Sequence, residues 1–406
     1  LLPGMKKFRL AVLTPHPIQY QAPFFKKLAK HPEIDLTVYF CWDFGVKGPS
    51  YDPGFNQKIK WDIPLLDGYR YEFLKNFSPN PGSGKWNREI NPGIIKEIWK
   101  GKYDAVLVYG WNSLTSWLAF LTAFLRKIPV FIHGENPLNQ EAFKSGFKIK
   151  IKKFILGWLF KRIKFFLYIG EENKKFFKFY GTPEEKLIFC PYAVENERFV
   201  GEAEKLKYRK NEFKKELRLN GEQAVVLFMG KLIEKKRPLD LLKAYEMLIT
   251  RSPNHPITEL PALVFVGDGV LRSKLEEYSK ERNLDNVYFI GFKNQTELPK
   301  YYTLADVLVL PSGAGETWGL AVNEAMCFGL PIIVSDVVGC GPDLVKDNVN
   351  GFIFPLDDAE QLSLRLKDLI DDSAKRKSFG EKSSGIIKKY TFEKDIEGIL
   401  TALKLN

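Results

Sequence analysis

Two glutamates frame a glycine-rich turn in the C-terminal half of the chain. Glu316 lies just before the predicted helix, and Glu324 ends the run Gly-Glu-Thr-Trp-Gly-Leu-Ala-Val-Asn-Glu at 315–324. The pattern turns helical from about Trp318, and the first N–H groups of a helix, at the positive end of its dipole, bind phosphate. Because carboxylates repel phosphate, the glutamates are expected to accept hydrogen bonds from sugar or ribose hydroxyls. Two ordinary roles stay open: Glu316 as a helix cap and Glu324 as a solvated helix residue.

Residues around this glutamate pair match a known family pattern. Seven residues separate Glu316 from Glu324, and the run continues with Glu-Ala-Met, Gly-Leu-Pro, Ser-Asp and Gly-Phe as far as position 352. This frame resembles the E-x7-E signature of the retaining family-4 (group 1) glycosyltransferases of GT-B fold, densely over 224–356 and more thinly before it. The resemblance implies that Glu316 holds the transferred sugar and Glu324 the ribose of a nucleotide. It also implies a diphosphate site at four backbone N–H groups, those of Thr317, Trp318, Gly319 and Leu320.

A basic run at 230–237, Gly-Lys-Leu-Ile-Glu-Lys-Lys-Arg, follows a predicted strand and precedes a predicted helix. By the same resemblance, Lys231 and Lys236 contact the donor diphosphate. Two cations there stabilise the negative charge of the departing group more in the transition state than in the ground state. The family often has Arg at the first position, and Lys231 supplies the charge without the bidentate fork. A solvated basic loop is the alternative, and Lys235 and Arg237 fit that description better.

No metal or other cofactor is expected. The sequence has no His/Cys cluster and no Asp-x-Asp run, the usual signs of a metal site. The expected donor is a nucleotide-diphosphate sugar, UDP- or GDP-linked. The four cysteines are scattered without paired spacing, which predicts reduced thiols in a cytosolic protein; they are Cys41, Cys190, Cys327 and Cys340.

Polar and aromatic residues follow two further predicted strands. His133 ends the strand Val130–His133, and parallel α/β sheets bind ligands at the carboxyl ends of their strands. The resemblance implies that His133 touches the donor sugar near the reacting centre, although a lone histidine is more often structural. Glu135 is a weaker acceptor-side candidate. By the resemblance, the segment containing Phe292 receives the nucleobase, mostly through backbone groups.

The loop after the first strand, Thr-Pro-His-Pro-Ile-Gln-Tyr at 14–20, is the predicted acceptor-binding loop. Many relatives carry two glycines here, and this chain has none. It resembles instead a subgroup with a Pro-x-Pro-x-x-Tyr loop. His16, Gln19 and Tyr20 are the acceptor candidates, and a proline-fixed turn with only a structural role is the alternative.

Short apolar runs alternate with helical patterns through both halves of the chain, which predicts parallel sheets covered by helices. The predicted fold class is therefore α/β, with two Rossmann-like domains facing a cleft. We expect an N-terminal acceptor-binding domain over 1–198, a nucleotide-sugar-binding domain over 199–385, and a linker near Asn196–Lys205. By the resemblance, the last helix, within 386–406, crosses back to the N-terminal domain.

The charge of the chain is uneven. Residues 1–198 hold 31 Lys/Arg and 18 Asp/Glu, a net +13, whereas the remainder holds 30 and 31, a net −1.

Eight basic residues and no acidic one lie in Phe143–Tyr168, where helical spacing puts an apolar stripe on one face and most lysines on the other. Such helices favour anionic membrane surfaces. A core helix with a solvated lysine face is the alternative; nucleic acid is not expected, because no recognition motif accompanies the charge. The stripe consists of Phe147, Ile151, Phe154, Ile155 and Trp158.

Together these features predict a retaining glycosyltransferase, metal-independent and of hexosyltransferase type. It would move a sugar from a nucleotide-diphosphate sugar to a glycan or lipid-linked acceptor, in surface polysaccharide or glycolipid synthesis. We expect it in the cytoplasm, peripheral at the cytoplasmic membrane. Two alternatives remain: a GT-B nucleotide-sugar epimerase, and a non-catalytic basic membrane or RNA adaptor on the same scaffold. The sequence predicts no particular donor sugar, base, acceptor or oligomeric state.

Overall fold

A computed structural model describes residues 7–82, 84–250 and 260–406. The chain forms two compact units. The first contains residues 7–50, Ile63–Tyr192 and Phe392–Asn406, and the second contains Tyr51–Asp62 and Ala193–Thr391. The division therefore falls after Tyr192 and after Thr391, rather than at the predicted 198 and 385.

Two expectations about domain organisation are wrong. The predicted linker Asn196–Lys205 lies within a helix of the second unit, because an amphipathic pattern there buries Phe199. Residues Tyr51–Asp62, expected in the N-terminal domain, belong to the second unit. The last helix is grouped with the first unit.

Most strands are short apolar runs, as expected of strands buried on both faces of a parallel sheet. In chain order they are β1 (Phe8–Thr14), β2 (Ile34–Phe40), β3 (Ser50–Asp52), β4 (Gln57–Ile59), β5 (Arg70–Phe73), β6 (Ala105–Tyr109), β7 (Val130–Gly134), β8 (Phe165–Tyr168), β9 (Leu187–Phe189), β10 (Val225–Met229), β11 (Ala262–Val266), β12 (Val287–Gly291), β13 (Val307–Leu310), β14 (Ile332–Ser335) and β15 (Gly351–Phe354).

The helices lie between these strands and at the end of the chain. In order they are α1 (Gln21–Ala29), α2 (Gly93–Lys100), α3 (Leu114–Leu125), α4 (Gly146–Arg162), α5 (Glu171–Phe179), α6 (Asn196–Leu206), α7 (Lys210–Glu216), α8 (Pro238–Thr250), α9 (Arg272–Glu281), α10 (Leu298–Leu304), α11 (Leu320–Cys327), α12 (Gly341–Leu344), α13 (Ala359–Ile370), α14 (Ser373–Ile387) and α15 (Phe392–Lys404).

The first unit is built on a parallel sheet with the strand order β5-β2-β1-β6-β7-β8-β9. Aromatic side chains of α3, α4 and α5 pack together in its core, among them Phe120, Phe160 and Phe177. Because parallel strands end at one edge, the loops after β1, β6 and β7 are neighbours there. This edge holds the predicted acceptor loop and His133.

The second unit is built on a parallel sheet with the order β12-β11-β10-β13-β14-β15. Its core includes Leu241 and Leu248 of α8 and Leu362 and Leu366 of α13. The basic run after β10 and the glycine-rich turn after β13 leave neighbouring strands at the same edge, and the loop after β12 lies further along it. The predicted α/β fold class, with two parallel sheets, is confirmed.

Candidate functional site

Two glycines set the path of the turn between β13 and α11. Gly315 and Gly319 have φ of 101° and 105°, a left-handed backbone that glycine adopts without strain. A Cβ on Gly319 would also lie 2.6 Å from Leu310 Cδ2. Gly319 is the N-cap of α11, and a glycine has no side chain with which to cap the helix. The start of α11 therefore keeps its capacity to bind an anion.

The helix begins at Leu320 rather than near Trp318, because left-handed Gly319 delays it. Trp318 is buried, and its indole Nε1 donates a 2.8 Å hydrogen bond to Asn323 Oδ1. The Trp318 side chain thus holds the turn against α11.

Glu316 forms an ion pair with Lys236. Both side chains are largely buried, 8% and 17% exposed, so the pair is shielded from solvent screening. Burial opposes ionisation of Glu316, but the nearby Lys236 and Lys235 outweigh it and lower the pKa of this carboxyl. Glu316 is therefore an ionised acceptor held beside a cation, and the N-cap position of α11 is taken by Gly319 rather than by Glu316.

The basic run after β10 and the glycine-rich turn form one cluster. The N–H of Gly313 donates to the Lys235 carbonyl at 2.8 Å, and Lys235 Nζ donates to the Gly315 carbonyl at 3.1 Å. Lys236 lies in a 3-10 turn, Glu234–Lys236. Arg237 pairs with Asp240 and Asp357, so it is a structural residue rather than the solvated one that the sequence suggested.

Glu324 is buried within α11, and the alternative that it is a solvated helix residue is wrong. Tyr302 of α10 donates a hydrogen bond to its Oε2. The other oxygen, Oε1, is buried and has no partner among the described residues. Burial raises the pKa of Glu324 to about 7, although the bond from Tyr302 and the nearby Arg198 act in the opposite direction. An unpaired buried acceptor is costly, and a hydroxyl donor would satisfy it.

Lys231, the other predicted diphosphate ligand, is paired with a residue that the sequence did not suggest. Its Nζ lies 2.9 Å from each carboxylate oxygen of Asp52. Its ammonium also lies 4.8 Å from the ring centroid of Phe55. Asp52 and Phe55 belong to the Tyr51–Asp62 part of the second unit.

Phe292, expected near the nucleobase, is half-buried directly after β12. Its ring makes edge contacts with Phe55 and Trp61, with centroids 5.0 Å and 6.1 Å apart. The structure therefore places aromatic side chains of the Tyr51–Asp62 segment at this position.

His133 lies at the carboxyl end of β7 in the first unit and is 3% exposed. Its ring stacks on Tyr109 at 4.6 Å and meets Tyr192 edge-on at 6.2 Å. Burial lowers the pKa of His133 to about 4, so the imidazole is neutral at pH 7. Its Nδ1 is buried without a partner among the described residues. His133 can therefore offer a neutral hydrogen-bonding group and not a cation.

Tyrosines and carboxyls surround His133. Tyr192 hydrogen-bonds to Glu135, and burial, this carboxyl and the nearby Tyr20 raise the Tyr192 pKa well above its usual value. Tyr109 lies near Asp395 of α15. Two predicted acceptor residues, Glu135 and Tyr20, thus share one neighbourhood through Tyr192.

The other two acceptor candidates differ in their surroundings. His16 makes edge contacts with Trp42 and Phe44, with centroids 5.8 Å and 5.5 Å apart. Gln19 is half-buried. Gln21, two residues later, is the glutamine that accepts a hydrogen bond from Thr14, at 3.0 Å.

Within each unit, part of the predicted set of site residues comes together. The second unit groups Lys236 with Glu316, and both with the turn that leads to Glu324; the first unit groups His133 with Glu135 and Tyr20. Sequence reasoning missed Tyr302, Asp52 and Phe55. Tyr302 lies 22 positions from its partner Glu324, whereas Asp52 and Phe55 lie 179 and 176 positions from Lys231. A single sequence carries no signal for such contacts.

Over residues 7–82, 84–250 and 260–406, no group of three or more His, Cys, Asp or Glu side chains is arranged to hold a metal ion. All four cysteines are free and buried. No helix of the described chain is both long and apolar enough to cross a bilayer.

The apolar stripe of α4 faces solvent. Its members are 39–82% exposed, with Phe154 and Phe147 the most exposed at 82% and 73%. The core contact of α4 is made instead by Leu156, Leu159 and Phe160. The core-helix alternative therefore fails for the stripe. The expected placement of the apolar stripe and most lysines on opposite faces of α4 is also wrong, because exposed lysines such as Lys148 share the solvent side with the stripe.

A groove with a volume of about 620 Å³ lies beside α4 in the first unit. Trp86 and Trp117 contact each other at 6.0 Å, and Trp117 stacks on Trp158 at 6.1 Å. The groove is lined by Trp86, Trp111, Trp117, Lys148, Ile151 and Ile155, among others.

Comparison with known proteins identifies the family. The model of glycosyl transferases group 1 matches residues 209–385. The chain is 30% identical over 287 residues to the UDP-Gal:alpha-D-GlcNAc-diphosphoundecaprenol alpha-1,3-galactosyltransferase of Escherichia coli, covering 69% of each protein. The chain belongs to the group 1 glycosyl transferases. The predicted family resemblance is thus confirmed.

Other relatives and structures match different lengths of the chain. Spore coat protein SA of Bacillus subtilis is 32% identical over 182 residues, 43% of this chain and 46% of that protein. The chain thus spans about half the length of this relative. The crystal structure of HepE from Anabaena, in complex with UDP and glucose, has a TM-score of 0.70 and 18% identity, covering 98% of this chain and 99% of HepE. This likeness shows the GT-B glycosyltransferase fold.

Proposed function

We propose that this protein is a retaining glycosyltransferase that takes a sugar from a UDP- or GDP-linked donor and attaches it to a glycan or lipid-linked acceptor. The observation that carries the proposal is the buried Lys236–Glu316 ion pair at the glycine-rich turn. An ionised carboxylate and an ammonium side by side suit a ligand that carries hydroxyls next to phosphates. Membership of the glycosyl transferases group 1 supports this reading.

The donor would be held in three parts. Its diphosphate would lie at the start of α11, with Lys231 and Lys236 supplying positive charge. The transferred sugar would donate hydroxyl hydrogen bonds to Glu316. The ribose would donate one to Glu324 Oε1, the buried acceptor without a partner among the described residues.

The reaction would proceed by front-face substitution. The bond between the anomeric carbon and the β-phosphate oxygen breaks, and the acceptor oxygen bonds to the same face of that carbon. The acceptor proton passes to the departing phosphate oxygen, so no enzymatic nucleophile is needed. Lys231 and Lys236 would stabilise the charge that develops on the leaving diphosphate, without a metal ion. Neutral His133 would hydrogen-bond to the sugar near the reacting carbon.

A lipid-linked acceptor is supported by the surface of α4. Its exposed aromatic stripe and lysines suit an anionic membrane, near which each Lys or Arg contributes about 1 kcal/mol. The tryptophan-lined groove beside α4 would receive part of the apolar chain of the acceptor. The E. coli relative named above acts on a diphosphoundecaprenol acceptor. The enzyme would then work at the cytoplasmic face of the membrane, in surface polysaccharide or glycolipid synthesis.

A donor screen tests the enzymatic proposal. UDP- and GDP-sugars are added one at a time while thermal unfolding is recorded, because a ligand that binds the folded state raises its stability. A donor that stabilises the protein should be consumed only when a glycan or lipid-linked acceptor is added. Turnover without an acceptor would identify an epimerase, and stabilisation by no donor would favour the non-catalytic adaptor.

A vesicle assay tests the membrane proposal. The protein should sediment with anionic vesicles and much less with zwitterionic ones, and high salt should release it because the Debye length is about 8 Å at physiological salt. Lys148→Gln with Lys150→Gln should weaken binding. Lys152 is kept, since it bonds to Glu141 at 2.9 Å. The control is Lys388→Gln with Lys389→Gln, an equal charge change at exposed residues after α14. Equal binding to both vesicle types would favour a soluble acceptor.

A further inference from the structure

The segment Tyr51–Asp62, here called the 51–62 segment, belongs to the second unit although it lies early in the sequence. It contains the two-stranded sheet of β3 and β4. It contacts the loop after β12 and Lys231 of that unit.

The C-terminal end of the segment is fixed to the loop after β12. Asn294 Nδ2 donates to the Lys60 carbonyl at 2.7 Å, and the Asp62 N–H donates to Asn294 Oδ1 at 3.3 Å. The N–H of Thr296 donates to Asp62 Oδ2 at 3.0 Å, and its hydroxyl bonds to the same oxygen. These bonds anchor the segment beside Phe292.

The tip of the segment covers Lys231. Besides pairing with Lys231, Asp52 Oδ1 accepts hydrogen bonds from the N–H groups of Gly54 and Phe55, at 2.7 Å and 3.2 Å. The carboxylate thus holds its own turn and the lysine together. The fit is close, because a Cβ on Gly54 would lie 2.6 Å from Lys231 Cδ and 2.8 Å from its Nζ.

The groups that the segment presents resemble parts of a nucleotide. Asp52 brings a negative charge to Lys231, where the proposed donor brings its diphosphate. Phe55 brings a flat ring to Phe292, where the donor would bring its base, and Trp61 contacts the same ring. One lysine ammonium cannot keep its full contact with both anions.

We propose that the 51–62 segment competes with the nucleotide for the donor site. Asp52 takes the position of the diphosphate on Lys231, and Phe55 takes that of the base against Phe292. Nucleotide binding displaces the tip, while Asn294 and Thr296 keep the other end anchored. The inference rests on the proposed function, since it needs a nucleotide diphosphate at Lys231. Asp52 is thereby a residue that sets donor affinity.

Affinity measurements with UDP and GDP test the competition. Asp52→Asn keeps the Oδ1 acceptor for the turn but removes the charge, so it should tighten nucleotide binding about two- to tenfold. Gly54→Ala leaves the charge of Asp52 intact and should loosen the contact between Asp52 and Lys231, because its Cβ would clash with the end of the Lys231 side chain. Asp285→Asn, an exposed carboxyl of the same unit, is the matched control and should change nothing.

Hydrogen exchange gives a second readout. The amides of Gly54 and Phe55, which bond to Asp52, should exchange faster when UDP or GDP is bound, whereas amides at 315–322 should be protected. Protection of the 51–62 amides together with unchanged affinity in Asp52→Asn would overturn the competition and leave the proposed function standing. If neither nucleotide binds the wild type nor Asp52→Asn, both proposals fall. Binding to Asp52→Asn alone would support both.

Discussion

Lys236 and Glu316 form a buried ion pair that joins the basic run after β10 to the glycine-rich turn after β13. These strands are neighbours in the sheet, although 77 residues, 230–306, lie between them in the sequence. The pair holds a cation and an anion ready at one place. Any ligand there must exchange contacts with both groups, so the two residues should act as a unit.

Glu316→Gln should reduce turnover with the donor more than it reduces donor affinity, because a loosely held sugar leaves near-attack geometry. Loss of a charge-assisted hydrogen bond costs about 1.5–3 kcal/mol, or roughly 10- to 150-fold in kcat/KM. In a double-mutant cycle, the free-energy effects of Lys236→Gln and Glu316→Gln should not add. Asp371→Asn breaks an exposed pair with Lys367 and serves as the control. Additive effects would show that the pair does not act as a unit.

Glu324→Gln should remove a pH dependence from nucleotide binding. Burial raises the pKa of this carboxyl from 4.5 to about 7, so it gains its charge as pH rises through 7 and becomes a stronger acceptor for the ribose. Wild-type affinity for UDP or GDP should therefore increase between pH 6 and pH 8. The variant should bind the nucleotide more weakly at pH 8, and its affinity should lack the increase that ionisation of Glu324 produces. Titration calorimetry measures both, and identical pH profiles would exclude the ribose contact.

Asp395→Asn should stabilise the protein, and more so at high pH. Burial raises the pKa of Asp395 from 3.8 to about 8. Between these values the unfolded chain has released a proton that the folded chain retains, so stability falls as pH rises, by at most about 1.4 kcal/mol per pH unit. Because asparagine is neutral at every pH, the variant does not lose stability in this way as pH rises. Thermal unfolding at pH 4 and pH 8 measures it, with exposed Glu397→Gln on the same helix as control. A larger gain at pH 4 would contradict the prediction.

Chelation should leave the transfer reaction intact. Lys231 and Lys236 would supply the positive charge that a divalent cation supplies elsewhere, so product formation should continue in excess EDTA. The measurement is the initial rate before and after chelation, with Mg²⁺ and Mn²⁺ added back. Loss of activity that either ion restores would refute metal independence.

Phe154→Ser with Phe147→Ser should reduce binding to anionic vesicles without lowering the unfolding temperature. These rings are 82% and 73% exposed, so their removal takes little buried apolar area from the folded state. Leu159→Ser, a buried residue of the same helix, should lower the unfolding temperature instead. If the double variant binds vesicles as well as the wild type, the lysines alone make the contact with the membrane surface.

The regular parts of the fold could be predicted because their signal is local. The strands β6, β11 and β13, for example, are each a continuous apolar run in the sequence. The 51–62 segment could not be assigned from its sequence, because strands of three residues with mixed polarity carry no clear period. The start of α11 was placed too early because Gly319, not a polar residue, is its N-cap.

For the candidate site, the sequence indicated residue types but not their partners. The resemblance selected Lys236, Glu316 and Glu324, and the structure adds that each is largely buried. Partners such as Tyr302 and Asp52 come from other segments, through contacts that only the folded chain creates. The helical period of α4 found the apolar stripe, but periodicity does not tell which of two apolar faces enters the core.

The second unit is discontinuous in sequence, because its residues 51–62 are separated from 193–391 by most of the first unit. A chimera that joins residues 1–192 of this chain to the corresponding C-terminal portion of a relative would therefore carry a foreign 51–62 segment against a new Lys231 equivalent. Likewise, a recombinant fragment that starts at residue 193 would lack Asp52 and Phe55. Exchanging 51–62 together with 193–391 keeps the unit whole, and this rule should guide any attempt to alter donor choice by domain exchange.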